Sequence, residues 1–218
     1  MGALCDPSSA DVTGRILEAF GLLLRCADKE RLNAVPIRNV KKACDRGLAY
    51  LQKTQEEDGK WYGRWGSNYV YGTSNALCGL SFFLDDANEH CKVRSMCDAA
   101  LEWLKGKQNA DGGWGEDLVT YKDPTKAGIG PSTPSQTAWG LMGLLPFLDP
   151  GDDSIESAVV HLLDTQTEVK GQGASWPETR YTGTGFPGFF YLGYTLYRHY
   201  FPMMALGRWA RSVRADVH

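Results

Sequence analysis

The chain has 218 residues, a net charge of −3 from 23 Lys+Arg against 26 Asp+Glu, and 43% apolar against 22% charged residues. This ordinary globular balance excludes disordered, collagen-like and disulfide-stapled classes, and it offers no basic surplus for a nucleic-acid partner. No uninterrupted apolar run approaches the roughly 18 residues of a spanning helix, and the opening residues from Met1 to Pro7 carry no basic or long apolar stretch of the secretion-signal kind. Along the chain, an apolar stripe at Val12, Ile16, Leu17, Phe20, Leu23 and Leu24 predicts a helix from Asp11 to Ala27, with Asp11 placed to cap its first turn. Further helices are predicted from Val40 to Thr54, Ser74 to Leu84 and Cys91 to Lys107. Ser132, Thr133 and Pro134 open a fifth that runs to Leu148, because a cap residue followed by proline suits a first turn. Ser154 to Thr165, about Gly188 to Tyr200, and Pro202 to Arg214 complete the series. The expectation is about eight helices, no strand, and one domain over residues 1–218. Gly/Pro-rich stretches at Gly112 to Pro134 and Gly171 to Pro187 separate them, and loops of this length commonly face a ligand.

A repeat runs through this order. Gln55, Gly59 and Trp61 form its first copy, and Gln108, Gly112 and Trp114 its second. Gln166 and Trp176 form a third with a lengthened turn, where Gly171, Gln172 and Gly173 intervene. A small residue stands eight positions before each Gln, at Gly47, Ala100 and Ala158. Each copy reads as a helix end carrying Gln, a Gly turn, and a Trp. Alternating helices with a period near 55 residues predict stacked helical hairpins, an α/α toroid or solenoid.

Little else in the sequence carries chemistry. Cys5, Cys26, Cys44, Cys78, Cys91 and Cys97 form no Cys-x-x-Cys pair and no metal-ligand spacing with His, and read as free thiols. His90, His161, His199 and His218 accompany no nucleophile. Asp111, Glu116 and Asp117 read as turn and cap groups rather than metal ligands.

The Gln…Gly-x-Trp copies resemble the QW motifs of triterpene cyclases. The segment from Asp58 to Gly72 is similar to that family's signature stretch. Ser132 to Trp139 and Thr182 to Gly188 resemble the squalene–hopene branch, and Tyr194 to Pro202 with Ala205 to Arg208 resemble the family's C-terminal end. The resemblance runs from about Cys5 to Arg211 and covers only the C-terminal part of the longer family pattern. It implies a partial α/α barrel and cationic polycyclisation of squalene or another linear polyprenoid, with no cofactor and no metal. In such chemistry a strong acid protonates an alkene, and aromatic faces stabilise the travelling cation without trapping it.

By the same resemblance, Trp65, Tyr69, Phe186, Phe190, Leu192, Tyr194 and Tyr197 are expected at the substrate. Trp65 and Tyr194 would face early ring formation, and Phe186 and Phe190 later cations. Trp61, Trp114 and Trp176, with Gln55, Gln108 and Gln166, would tie outer helices together. Asp11 matches a position in the proton-donor network. The family's Asp-x-Asp-Asp donor motif is absent from these residues, and Asp149, Asp152 and Asp153 read as a turn before a helix. Two substitutions depart from the pattern: Arg15 replaces a His beside the acid, where an i, i+4 pair with Asp11 is the plain expectation, and Phe189 replaces an Asp.

The expectation is therefore a squalene–hopene cyclase-type protein present as its C-terminal part, doubtfully active alone. Alternatives are one half of a split enzyme whose second polypeptide supplies the acid, a polyprenoid-binding module without catalysis, and a degenerate gene product. A water-insoluble substrate implies an intracellular protein in peripheral or monotopic contact with a membrane, or a lipid droplet in a eukaryote. The basic amphipathic stretch from Tyr200 to Arg214 reads as a closing helix with a solvated face, or as a membrane-surface helix.

Overall fold

The computed structural model describes residues 6–25, 36–84, 90–169, 171 and 173–215. Seven α-helices lie among them: α1 Ala10–Arg25, α2 Ile37–Thr54, α3 Asn68–Leu80, α4 His90–Gly106, α5 Pro134–Leu144, α6 Asp153–Asp164 and α7 Tyr197–Ala215. The predicted end of the first helix at Ala27 lies outside the described residues, as do Cys5, Cys26 and His218.

The helices sort into two layers by their burial. All eleven residues of α5 and nearly all of α3 are buried, so both are enclosed on every side. The helices α2, α4 and α6 bury one stripe and leave the rest in water. Within the inner layer α1 packs on α3, α3 on α5 and α5 on α7, while α2, α4 and α6 back α1, α3 and α5 in turn. This is the expected alternation of an α/α toroid, here as an arc. Inner helices approach closely through small residues: a Cβ on Gly14 would overlap the Asn75 carbonyl. Burying Trp61, Trp114 and Trp139 completely, with Leu77, Leu104, Leu141 and Ile155, supplies the main favourable term, at about 25 cal/mol per Å² of apolar surface.

The Gln–Gly–Trp turns act as clasps. Gln55 Nε2 donates to Gly59 O at 2.8 Å inside its own turn and to Met96 O of α4 at 2.9 Å. Gln108 Nε2 repeats this with Gly112 O and Ser154 O of α6, both at 2.8 Å. Both turn glycines adopt positive φ, 92° for Gly59 and 82° for Gly112, and lie against the Ala99 and Ser157 backbones, where a Cβ has no room. Each indole points back into its own helix: Trp61 Nε1 donates to Leu51 O and Trp114 Nε1 to Leu104 O, both at 2.8 Å. The tryptophan amides are met by Thr73 of α3 and Thr137 of α5, at 2.9 and 3.1 Å. Among the described residues the third copy keeps only the indole bond, Trp176 Nε1 to Leu162 O at 2.7 Å. The Gln166 side chain makes no hydrogen bond among the described residues.

Two hairpins correct the expectation of no strand. In the lengthened third turn, β1 Thr167–Val169 pairs antiparallel with β2 Gly173–Ser175. The predicted helix over Gly188 to Tyr200 forms only in its last turn, from Tyr197; its first part is the turn and second strand of a hairpin, β3 Gly183–Phe186 with β4 Phe190–Leu192. Pro187 removes a helical donor and Gly188, at φ 81°, turns the chain into β4, where aromatic residues suit an extended backbone. One continuous helix, α7, then replaces two predicted ones, with Pro202 inside it. The ring stack beside the proline compensates for the missing hydrogen bond: Phe201 is buried, 5.3 Å from Trp139 and 5.0 Å from Tyr197 between centroids.

Candidate functional site

Asp11 organises the candidate site. Its carboxylate is 1% exposed at the start of α1. Oδ2 accepts the Arg64 and Trp65 amides at 2.8 and 2.7 Å, while Oδ1 accepts the Val12 amide at 2.8 Å and the Ser9 hydroxyl. Oδ2 thereby fixes the Arg64–Trp65 loop against α1, while Oδ1 serves the start of the helix itself. Arg15 does not pair with Asp11 as expected. It turns to Glu18 at 3.4 Å, and Glu18 also binds Arg208 of α7 at 2.7 Å. One helical turn along α1, the acidic partner that lies nearer α7 takes the guanidinium.

Buried carboxyls recur at the inner helix starts. Glu116 Oε2 accepts the Val70 amide of α3 at 2.8 Å, and Glu178 accepts from Ser135 Oγ of α5 at 2.5 Å. A negative group suits the positive end of a helix, but desolvation dominates both groups. It pushes the Glu116 carboxyl up to about 7 and raises Glu178 above the usual carboxylate range. The cap role expected for Glu116 fits this geometry. Asp111 accepts the Ser132 hydroxyl at 2.7 Å and the Gly113 amide at 3.0 Å. Although burial opposes ionisation, these bonds hold it below the usual range. Asp117 pairs with Arg180. Glu178 had no signal in the sequence, since nothing local marks a carboxyl that caps a helix 40 residues earlier.

The Trp65 loop is joined to the β3–β4 hairpin. Ser67 N donates to Thr182 O at 2.9 Å, Thr184 N to Trp65 O at 3.3 Å, and Gly66 bridges Gly183. Arg64 adds a cross-tie: Nη1 donates to Gly185 O at 3.0 Å, and its guanidinium lies 4.3 Å from the Trp65 ring and 5.9 Å from the Phe186 ring. Tyr121 pins the same junction, bonding Gly66 O at 2.6 Å and Thr184 Oγ1 at 2.9 Å. Sequence reasoning passed over both Arg64 and Tyr121. The only signal was an Arg framed by Trp61 and Trp65.

The structure thus brings Trp65 and Phe186 together around Arg64. Phe190 and Leu192 stand on β4 directly across from β3, and Leu192 pairs with Gly183. Phe186 and Phe190 are about half exposed, and Phe189 at the hairpin tip is 91% exposed. Tyr194 and Tyr197 stack at 4.7 Å where the hairpin runs into α7, and Tyr197 continues to Trp139 at 6.0 Å. Tyr69 stands behind this junction, linked to it through Tyr62, whose ring lies 5.8 Å from that of Tyr121. The Tyr69 ring meets Tyr62 at 6.0 Å and Lys60 Nζ at 5.0 Å, beside the first clasp, and burial followed by the Glu56 carboxylate raises its phenol. Trp65 also lines an apolar groove of about 600 Å³ with Val12, Ile16 and Phe20 of α1 and Ala43 and Gly47 of α2. Cys44, Cys78 and Cys97 are free and buried. Burial pushes the Cys78 and Cys97 thiols up to about 11 and 12, far from a reactive thiolate.

Comparison with known proteins identifies relatives for most of this chain. The chain is similar to enfumafungin synthase efuA of Hormonema carpetanum, 45% identical over 96% of this chain and 17% of that protein. It is 43% identical to the squalene hopane cyclase afumA of Aspergillus fumigatus, over 84% of this chain and 28% of that one. The squalene–hopene cyclase of Alicyclobacillus acidocaldarius is 42% identical, over 97% of this chain and 30% of its own length. The chain therefore spans less than a third of these relatives. In fold it resembles ent-copalyl diphosphate synthase from Streptomyces platensis, with a TM-score of 0.58 at 21% identity, covering 94% of this chain and 34% of that one. Residues 1–211 match the squalene-hopene cyclase C-terminal domain, and the chain belongs to that family.

Proposed function

We propose that this chain forms the C-terminal wall of a squalene–hopene cyclase-type triterpene cyclase, which cyclises squalene or a related linear polyprenoid through carbocations. The family match over residues 1–211 carries the reading. The junction of Trp65 with the Phe186–Phe190 hairpin supports it, because its half-exposed rings offer π faces to a cation, each worth up to about 2 kcal/mol when desolvated. Phe186, Phe190, Leu192, Tyr194, Tyr197 and Trp65 line the polyprenoid in this reading, and Tyr69 supports them from the first clasp. The Arg64 guanidinium lies over the Trp65 ring, so in this reading that ring sits at the edge of the cation's path. Asp11 acts as a positioning residue for Trp65.

In the reaction, a donor carboxylic acid protonates a terminal alkene, successive alkenes attack the cation to close rings, and loss of a proton or capture of water ends the sequence. No cofactor enters this balance. The Asp-x-Asp-Asp donor is not among these 218 residues, so the acid comes from another segment or a second polypeptide. No helix among the described residues is long and apolar enough to cross a membrane. Exposed Phe189, Leu196 and Met203 support peripheral or monotopic contact with a lipid surface, and the water-insoluble substrate of this reading would place that surface inside the cell, on a lipid droplet in a eukaryote.

The test is product analysis by gas chromatography with mass spectrometry. The purified chain alone is expected to leave squalene unchanged. The chain supplied with the part of the Alicyclobacillus acidocaldarius cyclase that it does not match is expected to give a cyclic product. Cyclisation by the chain alone overturns the need for an outside acid. Squalene bound by the chain but never turned over in the reconstituted mixture favours the polyprenoid-binding module.

A further inference from the structure

We propose that the polar pocket between residues 178–182 and the joint of β4 with α7 binds a small tetrahedral oxyanion, a phosphate or a phosphate monoester, with Arg198 as its principal partner.

The pocket has a volume of about 200 Å³. It is smaller than the clefts of roughly 300–1,000 Å³ that take drug-sized ligands, and ample for one tetrahedral ion. Its lining includes the guanidiniums of Arg180 and Arg198 and the hydroxyls of Thr179 and Thr195. The two cations are not equivalent. Arg180 already pairs with Asp117 at the surface. Arg198 enters no ion pair among the described residues, and its Nε is closed off from solvent without a hydrogen-bond partner. A guanidinium keeps its charge at any ordinary pH, so Arg198 cannot relieve this by losing a proton. A buried donor left unmade is costly, and an acceptor in the pocket removes that cost. A planar fork beside threonine hydroxyls matches the oxygens of a phosphate, which accept several charge-assisted bonds at once.

The carboxylate in the lining does not take this part. Glu178 Oε1 accepts the Ser135 hydroxyl of α5 at 2.5 Å, and Glu178 forms no ion pair with Arg198. Burial raises its carboxyl, against the bonds from Ser135 and Thr133 and the weaker field of Arg198, so it readily takes up a proton beside an anion. An oxyanion on Arg198 and Thr195 ties the first turn of α7 to the segment before β3, across the joint where Tyr194 and Tyr197 stack. Of the residues assigned to the polyprenoid wall, only Tyr194 also lines this pocket. The site therefore does not depend on the cyclase reading.

The probe is inorganic phosphate, titrated near neutral pH into the intact isotope-labelled protein and followed by amide chemical shifts. Saturation in the millimolar range or below is expected, with shifts centred on residues 178–182 and 193–198. Chloride at equal ionic strength is expected to leave those amides unmoved. Arg198→Gln is expected to weaken binding about tenfold or more, and Arg198→Lys to recover only part of it, because an ammonium lacks the fork. Thr195→Val, at an exposed position, is expected to weaken it several-fold and keeps the test open if Arg198→Gln fails to fold. Co-sedimentation with phosphatidylcholine vesicles, with and without phosphatidate, separates the two sources of the anion. Capture that needs phosphatidate and is reversed by free phosphate assigns the pocket to a lipid headgroup. Saturation by phosphate without such capture assigns it to a soluble phosphate. Shifts that do not saturate, equal shifts with chloride, or unchanged affinity in whichever of the Arg198→Gln and Thr195→Val proteins folds would overturn the proposal.

Discussion

The Asp11 carboxylate accepts the amide of Trp65 at 2.7 Å across 54 positions of sequence. A charge at the start of α1 therefore sets the backbone under one aromatic ring of the candidate wall, and the same oxygen takes the Arg64 amide. Removing it strands two partly buried donors.

Asp11→Ala is expected to destabilise the fold by about 3 kcal/mol, since each unpaired buried donor costs roughly 1–3 kcal/mol. Urea denaturation measures this, and amide exchange at Arg64 and Trp65 should accelerate more than at the α5 core. An unchanged midpoint with unchanged exchange would show that the loop holds itself.

The clasps are expected to be unequal. Gln55→Ala and Gln108→Ala each remove two hydrogen bonds and should each cost about 1–2 kcal/mol. Gln166→Ala removes none that the described residues make and should stay within about 0.5 kcal/mol, as surface changes do. Three equal losses in urea midpoint would sink this distinction.

Glu116 predicts a pH dependence. Its folded carboxyl sits at about 7, above its ordinary value of 4.5, because burial disfavours the charge. The folded state therefore holds a proton that the unfolded state has released. Stability is highest below about pH 4.5 for this group and falls as pH rises toward 7, by up to about 3 kcal/mol. Glu116→Gln should flatten this slope, gaining relative to wild type at pH 8 and matching it near pH 4. Parallel stability curves of the two proteins across that range would refute the assignment.

Two phenylalanines should differ sharply in their tolerance of substitution. Phe189, 91% exposed at the hairpin tip, should accept Asp at a cost below about 0.5 kcal/mol. Phe201, buried against Trp139 and Tyr197, should cost about 3–5 kcal/mol on truncation to Ala. Thermal melts decide this. A large loss at Phe189 would mean that the tip is covered.

Much of the arc was legible in order. Five of the predicted helices begin within four residues of their observed starts, because the apolar stripe of an amphipathic helix and the Ser132-Thr133-Pro134 start are local patterns. The exceptions are the Ser74 start, since α3 begins at Asn68, and the Gly188 and Pro202 starts, which a hairpin turn and one helix from Tyr197 replace. A wholly enclosed helix has no polar face to mark its ends. The Gln–Gly–Trp spacing disclosed the clasps, though not their partners Met96 and Ser154. The hairpin after Thr182 was misread because short apolar runs do not distinguish a strand from a helix by periodicity.

The sequence by itself determined the helical alternation, the repeat and the family, since these rest on residue type and spacing within one turn or one repeat. Only the tertiary structure decided that Asp11 holds the Trp65 loop, that Glu178 meets Ser135 at the start of α5, that Arg64 lies between Trp65 and Phe186, and that Tyr69 joins the junction through Tyr62. Each depends on which segments pack together over tens of residues. A buried carboxyl or guanidinium takes whichever partner that packing brings within hydrogen-bonding reach.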